Sequence, residues 1–273
     1  MLRSMYSGVS GMRGFQTKLD VIGNNIANVN TVGFKKSRVM FQDILSQNVA
    51  GASAGTEGGL GGINARQVGL GATTASIDVV HSPGSPMTTN LTSDLAIEGD
   101  TFFVVTPDGG TTQYLTRAGN FTRDGNGFLV NSQGMNVLTS GGEPVQIDRN
   151  TYVSYSIGKD GSINATDAQG ATTSLGFIGV AKVDNASGLK KLGNSLYEMT
   201  PNANAGGETA VQLGAPTDEG FNSSIVSGVL EMSNVDLSEE FTEMIVAQRG
   251  FQANSRIITT SDTVLEELIN LKR

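Results

Sequence analysis

His81 is the only histidine in this sequence and the side chain whose ordinary pKa best suits proton transfer near neutral pH. Asp78 and Ser82 are close to it along the chain, so Ser/His/Asp hydrolysis is the chemistry that these three residue types could perform. No G-x-S-x-G element surrounds Ser82, and a lone histidine is more often a structural residue than a catalyst. We therefore expect no catalytic residue, and a hydrolase remains an alternative with one observation behind it.

Glycine-rich turns are the other places where a small ligand could bind. Residues 108–110 and 124–127 combine Asp with Gly as calcium loops do, but they lack the alternating ligands and the glutamate at position twelve. Residues 58–62 lack the Lys-Ser/Thr pair of a phosphate-binding loop. With one histidine and no cysteine, the chain also offers little for a zinc site. The sequence predicts neither a metal site nor a cofactor.

Charge and composition exclude several classes of partner. The 273 residues carry a net charge of −8 and no cysteine, so we expect neither nucleic-acid binding nor disulfides. No apolar run approaches the roughly 18 residues of a membrane span, and the first residues lack the apolar core of a secretory signal. Residues 1–38 carry six basic groups against one acidic group, whereas residues 236–273 carry four against seven. The two ends are electrostatically complementary, which favours their pairing.

Both ends of the chain have helical patterns. Apolar residues from Leu2 to Val29 recur at steps of three and four, which predicts a helix over 2–34 that stops near Gly33. Residues 236–272 predict a second helix with Asp236 as the N-cap of a capping box. One row of this helix is apolar at steps of seven, and its companion row is apolar only at its ends. This predicts a weak or register-specific coiled-coil-like seam, with packing on the chain's own core as the alternative.

Short β-type runs separated by Gly-rich turns fill the chain between the helices. They predict an all-β sandwich or barrel-like domain over 76–234. Residues 35–75 predict an extended Gly-rich arm, which could be a disordered linker or could order against a neighbouring molecule. The predicted fold class is therefore α+β, with an all-β central domain and terminal helices, 1–34 and 235–273, that pair as an assembly domain.

Several motifs carry a resemblance to a known family. The segment 19–35 (LDVIGNNIANVNTVGFK) resembles the N-terminal signature of the bacterial flagellar rod and hook proteins, and 233–268 resembles the other end of the same family. Segments 94–105, 114–130 and 156–161 resemble its shared β-domain motifs. The match covers most of the chain in the expected order. One departure is Thr101, where the family commonly has a second glycine before the paired aromatics.

The resemblance implies a structural, non-enzymatic subunit of the extracellular flagellum, in the hook and basal-body region. Residues 1–12 and the final Leu-Lys-Arg favour the short hook protein of Gram-positive, Bacillus-like bacteria, a subunit of a flexible helical tube that transmits torque from basal body to filament. The distal rod protein, a straight drive shaft, is the alternative. Implied partners are copies of the chain itself, the rod, the hook cap, the hook–filament junction proteins and the flagellar export apparatus. An extracellular binding module would explain the β domain but not the helices.

The subunit interface is predicted on the apolar helix rows and on nearby amides. Asn24, Asn25, Asn28 and Asn30 are expected to hydrogen-bond between crowded helices and to fix their register, while Gly23 allows close approach. The predicted interface residues are Leu2, Met5, Val9, Met12, Phe15, Leu19, Ile22, Asn24, Asn25, Ile26, Asn28, Val29, Leu237, Phe241, Met244, Gln248, Phe251, Ser255, Ile258, Leu265 and Ile269.

Overall fold

The structure is a computed structural model that describes residues 2–52, 54, 61–207 and 209–271. The chain divides into two compact units. We call residues Met1–Ala27, Ser37–Val79 and Asp236–Arg273 the helical unit, and residues Asn28–Lys36 and Val80–Val235 the β unit. Two long helices pack together and the central region is mostly β-structure, so the predicted α+β class is confirmed.

In its described residues the helical unit contains two helices and four strands. Its elements are α1 (Leu2–Ala27), β1 (Ser37–Asp43), β2 (Gln47–Ala50), β3 (Arg66–Val68), β4 (Ala72–Val79) and α2 (Leu237–Leu271). β1 pairs antiparallel with β4, and β2 with β3, so residues 37–50 and 66–79 form the two arms of a hairpin, and β1 and β4 contact α1. The arm predicted over 35–75 thus contains β1, β2, β3 and the start of β4, and its residues 53 and 55–60 lie outside the described residues.

The helix ends follow from local hydrogen bonding. Asp236 caps α2, since its carboxylate accepts from the Ser238 N–H at 2.8 Å, as the capping box predicts. The first helix ends at Ala27, well before the predicted stop near Gly33. Asn28 is the reason, because its backbone and side-chain oxygens accept from the N–H and hydroxyl of Thr31, both at 3.1 Å. This local turn competes with continued helix.

No helix in the described ranges is both long enough and apolar enough to cross a bilayer.

The β unit is built from short strands joined by tight turns. Its strands are β5 (Pro86–Thr88), β6 (Leu95–Glu98), β7 (Phe102–Thr106), β8 (Tyr114–Thr116), β9 (Thr122–Arg123), β10 (Leu129–Val130), β11 (Asn136–Val137), β12 (Tyr152–Ile157), β13 (Ser162–Asp167), β14 (Thr172–Phe177), β15 (Val180–Ala181), β16 (Lys190–Gly193), β17 (Leu196–Glu198), β18 (Leu213–Gly214), β19 (Ser224–Ser227) and β20 (Val229–Glu231). The largest sheet runs β16-β17-β8-β7-β11-β10-β9, with β15 pairing with β7 and β18 pairing with β15. β12, β13 and β14 form a separate sheet, and β6 and β5 pair with β19 and β20.

An apolar core holds these sheets together. Phe103 and Phe121 meet edge to face with ring centroids 5.2 Å apart, and both are fully buried with Leu95, Ile147 and Ile178. The β unit therefore has the self-sufficient core that its run of alternating strands predicts.

Candidate assembly surface

The two helices of the helical unit lie antiparallel. Gly11 lies against the Asn254 side chain, the Phe15 ring covers Gly250, and Asn25 bonds to Glu240. Residue numbers rise along α1 as they fall along α2, which defines the antiparallel direction. An ion pair between Lys18 and Glu243 adds to the contact. The electrostatic complementarity of the two ends therefore acts within one chain.

One seam of α2 faces α1. Glu240 and Ala247 are buried, and Met244, Asn254, Ile258, Ser261 and Leu265 are half-buried. Their steps are 4, 3, 7, 4, 3 and 4, and the exposed Phe251 stands at the seam position between Ala247 and Asn254. The predicted row at steps of seven supplies Met244, Ile258 and Leu265. The second row of this seam starts at Glu240. The sequence pattern predicts instead the neighbouring row, which starts one residue later, at Phe241. Pairing within the chain thus uses a small and polar row.

The predicted interface residues fall into several environments. On α1, Ile22 and Asn25 are buried, Asn24 is exposed, and Met5, Val9, Met12, Phe15, Leu19 and Ile26 are half-buried. Asn28 and Val29 lie beyond α1, in the β unit, and are half-buried, while the side chain of Leu2 is outside the described residues. On α2, Met244, Ser255, Ile258 and Leu265 are half-buried, and Leu237, Phe241, Gln248, Phe251 and Ile269 are exposed. Which of them contact a second subunit stays a prediction.

Asn25 ties three elements of the helical unit together. It is 1% exposed, and its Nδ2 donates to the Ser37 carbonyl at 2.9 Å and to Glu240 Oε2 at 3.2 Å. Its Oδ1 accepts from the Ser37 N–H at 3.0 Å. A buried amide with all these groups paired fixes the end of α1 against the starts of β1 and α2. Within the single chain a Cβ at Gly23 would meet nothing within 4 Å, so the close approach predicted for Gly23 stays a prediction about a neighbouring subunit.

A second apolar row on α2 is exposed to solvent in the single chain. We call Val246, Ile257, Val264, Leu268 and Leu271 the outer stripe; their exposed fractions run from 40% to 83%. They recur on one side of the helix, beside the seam that meets α1. An exposed apolar row of this length is typical of a protein–protein contact surface.

The β unit contains a buried charge cluster that sequence patterns did not reveal. Lys35 Nζ lies 2.5 Å from Glu231 Oε1, and Arg117 lies 3.4 Å from the other carboxylate oxygen. All three are at most 5% exposed. Burial lowers the pKa of Lys35 and of Arg117, and the Glu231 carboxylate opposes both shifts. The three residues are far apart in sequence, so no local motif announces the cluster.

His81 packs as an aromatic ring beside this cluster. Its ring centroid lies 5.7 Å from that of Phe102 and 5.3 Å from that of Tyr197. Neither ring nitrogen is hydrogen-bonded to a side chain, and the backbone of Ala186 opposes the lowering of the His81 pKa. Burial, and then the nearby cations Lys35, Arg117 and Lys191, lower the pKa of His81 to about 4. A histidine without an orienting or activating partner lacks the geometry of a general base. Among the described residues no group of three His, Cys, Asp or Glu side chains could hold a metal ion.

Three family profiles match this chain in sequence order. The family described as flagella basal body rod protein matches residues 5–35, the flagellar hook protein FlgE/F/G D1 domain matches 96–165, and the flagellar basal body rod FlgEFG protein C-terminal family matches 226–271. The N-terminal match covers most of α1, and the C-terminal match covers α2.

Full-length relatives extend this similarity. The chain is 53% identical to the flagellar basal-body rod protein FlgG of Bacillus subtilis and 40% identical to that of Borreliella burgdorferi, over the whole of both chains in each case. It is 29% identical to the flagellar hook protein FlgE of Borreliella burgdorferi, over 450 aligned positions that again cover both chains. The chain belongs to the flagellar rod and hook protein family and is a structural component of the basal-body and hook region of the flagellum.

Proposed function

We propose that this chain is a rod subunit of the flagellar basal body, which polymerises into a straight, torque-transmitting tube. The observation that carries the proposal is the end-to-end similarity to two basal-body rod proteins at 53% and 40% identity, with almost no length difference. The hook relative is less similar, and its alignment extends to 450 positions against the 273 residues of this chain. Although residues 1–12 and the C-terminus favour the hook from sequence patterns, these comparisons favour the alternative.

Self-assembly fits the exposed surfaces of the helical unit. The seam between α1 and α2 is satisfied within one chain, whereas the outer stripe and the exposed Phe241 and Ile269 leave large apolar side chains in water. Burying each on assembly contributes about 1.5–3 kcal/mol. A contact between different surfaces of successive copies does not close on itself, so it produces an open helical polymer. In this proposal the predicted interface residues act together with the outer stripe.

The remaining parts of the proposal follow the family resemblance. We infer a non-enzymatic subunit, exported by the flagellar export apparatus, that meets other rod, hook and cap proteins at the ends of its polymer. Residues 1–34 and 235–273 serve as the assembly domain, residues 35–75 as the arm and residues 76–234 as the β domain of the polymer. His81 is a packing residue in this account, so His81→Ala should still assemble and support motility.

The shape of the polymer tests the proposal. Purified protein is polymerised and imaged by electron microscopy, and straight tubes are expected of a rod subunit. Curved tubes of variable curvature would instead favour the hook. The matched genetic experiment supplies the chain to strains that lack either the rod or the hook subunit, and rescue of rod assembly alone is the expected result.

A further inference from the structure

The C-terminal end of α2 projects past the start of α1. The contacts Gly11–Asn254, Phe15–Gly250 and Asn25–Glu240 share one register, in which paired residue numbers add up to 265. Leu2, the first residue of α1, therefore faces about residue 263. Since α2 continues to Leu271, its last eight or so residues extend roughly 12 Å beyond α1. We call residues 264–271 the overhang.

The overhang is apolar and exposed. Val264 is 40% exposed, Leu268 49%, Ile269 67% and Leu271 83%. Val264, Leu268 and Leu271 recur at steps of four and three, and Ile269 lies next to Leu268, so the four side chains line one broad side of the last two helical turns. Glu266 and Glu267 are exposed between them and carry negative charge, and the basic Lys272 and Arg273 follow the overhang in the sequence.

A groove on the same unit has complementary properties. It has a volume of about 380 Å³ and lies between α1 and the hairpin of residues 37–79. Tyr6, Val9, Arg13 and Thr17 line it from α1, and Ile44 and Leu70 line it from the hairpin. These α1 residues lie on the side of the helix away from Gly8 and Gly11, which face α2. The groove is therefore not occupied by the seam, and its lining combines apolar side chains with the hydroxyls of Ser10, Thr73 and Thr74 and the cation of Arg13.

We propose that the overhang of one copy docks in this groove on the next copy, an inference that rests on the proposed self-assembly. The overhang cannot fill the groove of its own chain, because α2 runs antiparallel to α1 and carries the overhang past Leu2, away from residues 9–17. Leu268 and its apolar neighbours enter between α1 and the hairpin, and Glu266 or Glu267 pairs with Arg13. Groove and overhang are different surfaces, so the contact repeats from copy to copy without closing.

Cysteine cross-linking tests the contact directly, since the chain has no cysteine of its own. Thr17→Cys and Tyr6→Cys mark the two ends of the groove, and Leu268→Cys marks the overhang. Chains with a groove cysteine are mixed with chains with the overhang cysteine, polymerised and oxidised. We expect disulfide-linked heterodimers from at least one groove position, several-fold above the control pair of Leu268→Cys with Asn126→Cys, a position in an exposed turn of the β unit. Polymers without this excess for either groove position would overturn the docking proposal and leave the proposed function intact.

A charge exchange provides the second arm. Arg13→Glu and the double substitution of Glu266 and Glu267 to Arg should each raise the critical concentration for polymerisation about two- to fivefold. Combining all three substitutions should return it toward the value of the parent chain. The pairing would be contradicted if the combined variant had a critical concentration as high as the higher of those measured for Arg13→Glu and for the double glutamate substitution. Failure of the unsubstituted chain to polymerise would overturn the proposed function itself, and the docking proposal with it.

Discussion

The side-chain amide of Asn25 pairs with both backbone groups of Ser37, donating to the carbonyl at 2.9 Å and accepting from the N–H at 3.0 Å. The two hydrogen bonds resemble those of a hydrogen-bonded residue pair in an antiparallel β-ladder. They join the last turn of α1 to the first residue of β1. The third hydrogen bond, to Glu240 at 3.2 Å, joins the same amide to α2. An asparagine that is unfavourable inside a helix is thus the link among three elements of the helical unit.

Replacing Asn25 with Leu should destabilise the helical unit and impair assembly. The substitution removes the buried amide to which both Ser37 backbone groups and the Glu240 carboxylate bond, and each Ser37 group left unsatisfied costs about 1–3 kcal/mol. Hydrogen exchange should speed up at the end of α1 and the start of β1, and sedimentation should show less polymer. The exposed Asn30→Leu is the control. Unchanged exchange at Ser37 in Asn25→Leu would show that the amide contributes little.

Two helical glycines should respond oppositely to Ala. Either substitution gains up to about 1 kcal/mol of helix propensity. A Cβ at Gly250 would lie 2.5 Å from the Phe15 ring, which also packs against Phe41, whereas a Cβ at Gly23 meets nothing within 4 Å. We expect Gly23→Ala to raise the melting temperature of the helical signal in circular dichroism, and Gly250→Ala to lower it or to weaken assembly. Equal shifts for the two variants would mean that Phe15 moves aside without cost.

The helices could be predicted from sequence because their signals are local. A 3-and-4 apolar step marks a helix face, and the Asp236 cap is confirmed by its hydrogen bond to Ser238. Periodicity does not say which of two adjacent rows meets the partner helix, and the seam within this chain uses Glu240 and Ala247. Nor can it locate the end of α1, which depends on how the Asn28 side chain bonds to Thr31. Local chemistry outweighed the continuing apolar pattern there.

The charge cluster lay beyond sequence reasoning for a different reason. Lys35 and Glu231 are 196 positions apart, and only the folded β unit brings them together. Neither residue identifies its partner in the sequence: Glu231 follows the apolar Val229 and Leu230, and Lys35 follows Phe34. The family motif contains Lys35 but does not state its partner. Hence the fold class and the helical elements follow from local patterns, whereas the buried contacts depend on tertiary structure.

Neutralising Glu231 should strongly destabilise the β unit. Glu231→Gln leaves the buried cations of Lys35 and Arg117 uncompensated, which typically costs about 3–5 kcal/mol. Urea unfolding followed by near-ultraviolet circular dichroism reports this unit, because Tyr114, Tyr152, Tyr155 and Tyr197 all lie in it.

The matched control for Glu231→Gln is Glu198→Gln. This residue pairs with Lys190 at 2.8 Å, but both side chains are largely exposed, so the free energy of unfolding should hardly change. Equal urea midpoints for Glu231→Gln and Glu198→Gln would contradict a stabilising role for the buried cluster.

Mild acid should weaken the β unit through His81. The pKa of His81 is lowered from 6.5 to about 4 in the folded chain, by burial and then by Lys35, Arg117 and Lys191. Above pH 6.5 the ring is neutral in both states; below it the unfolded chain takes up the proton first, so stability falls until about pH 4 and then levels off. His81→Phe keeps an aromatic ring between Phe102 and Tyr197 and cannot titrate. We compare the unfolding free energies of the parent chain and of His81→Phe at each pH. The difference, parent minus variant, should fall as the pH is lowered from 6.5 to 4. Carboxylate contributions are shared by both chains and cancel in this difference. A difference that stays constant across this range would show that His81 is protonated as readily in the folded chain as in the unfolded one.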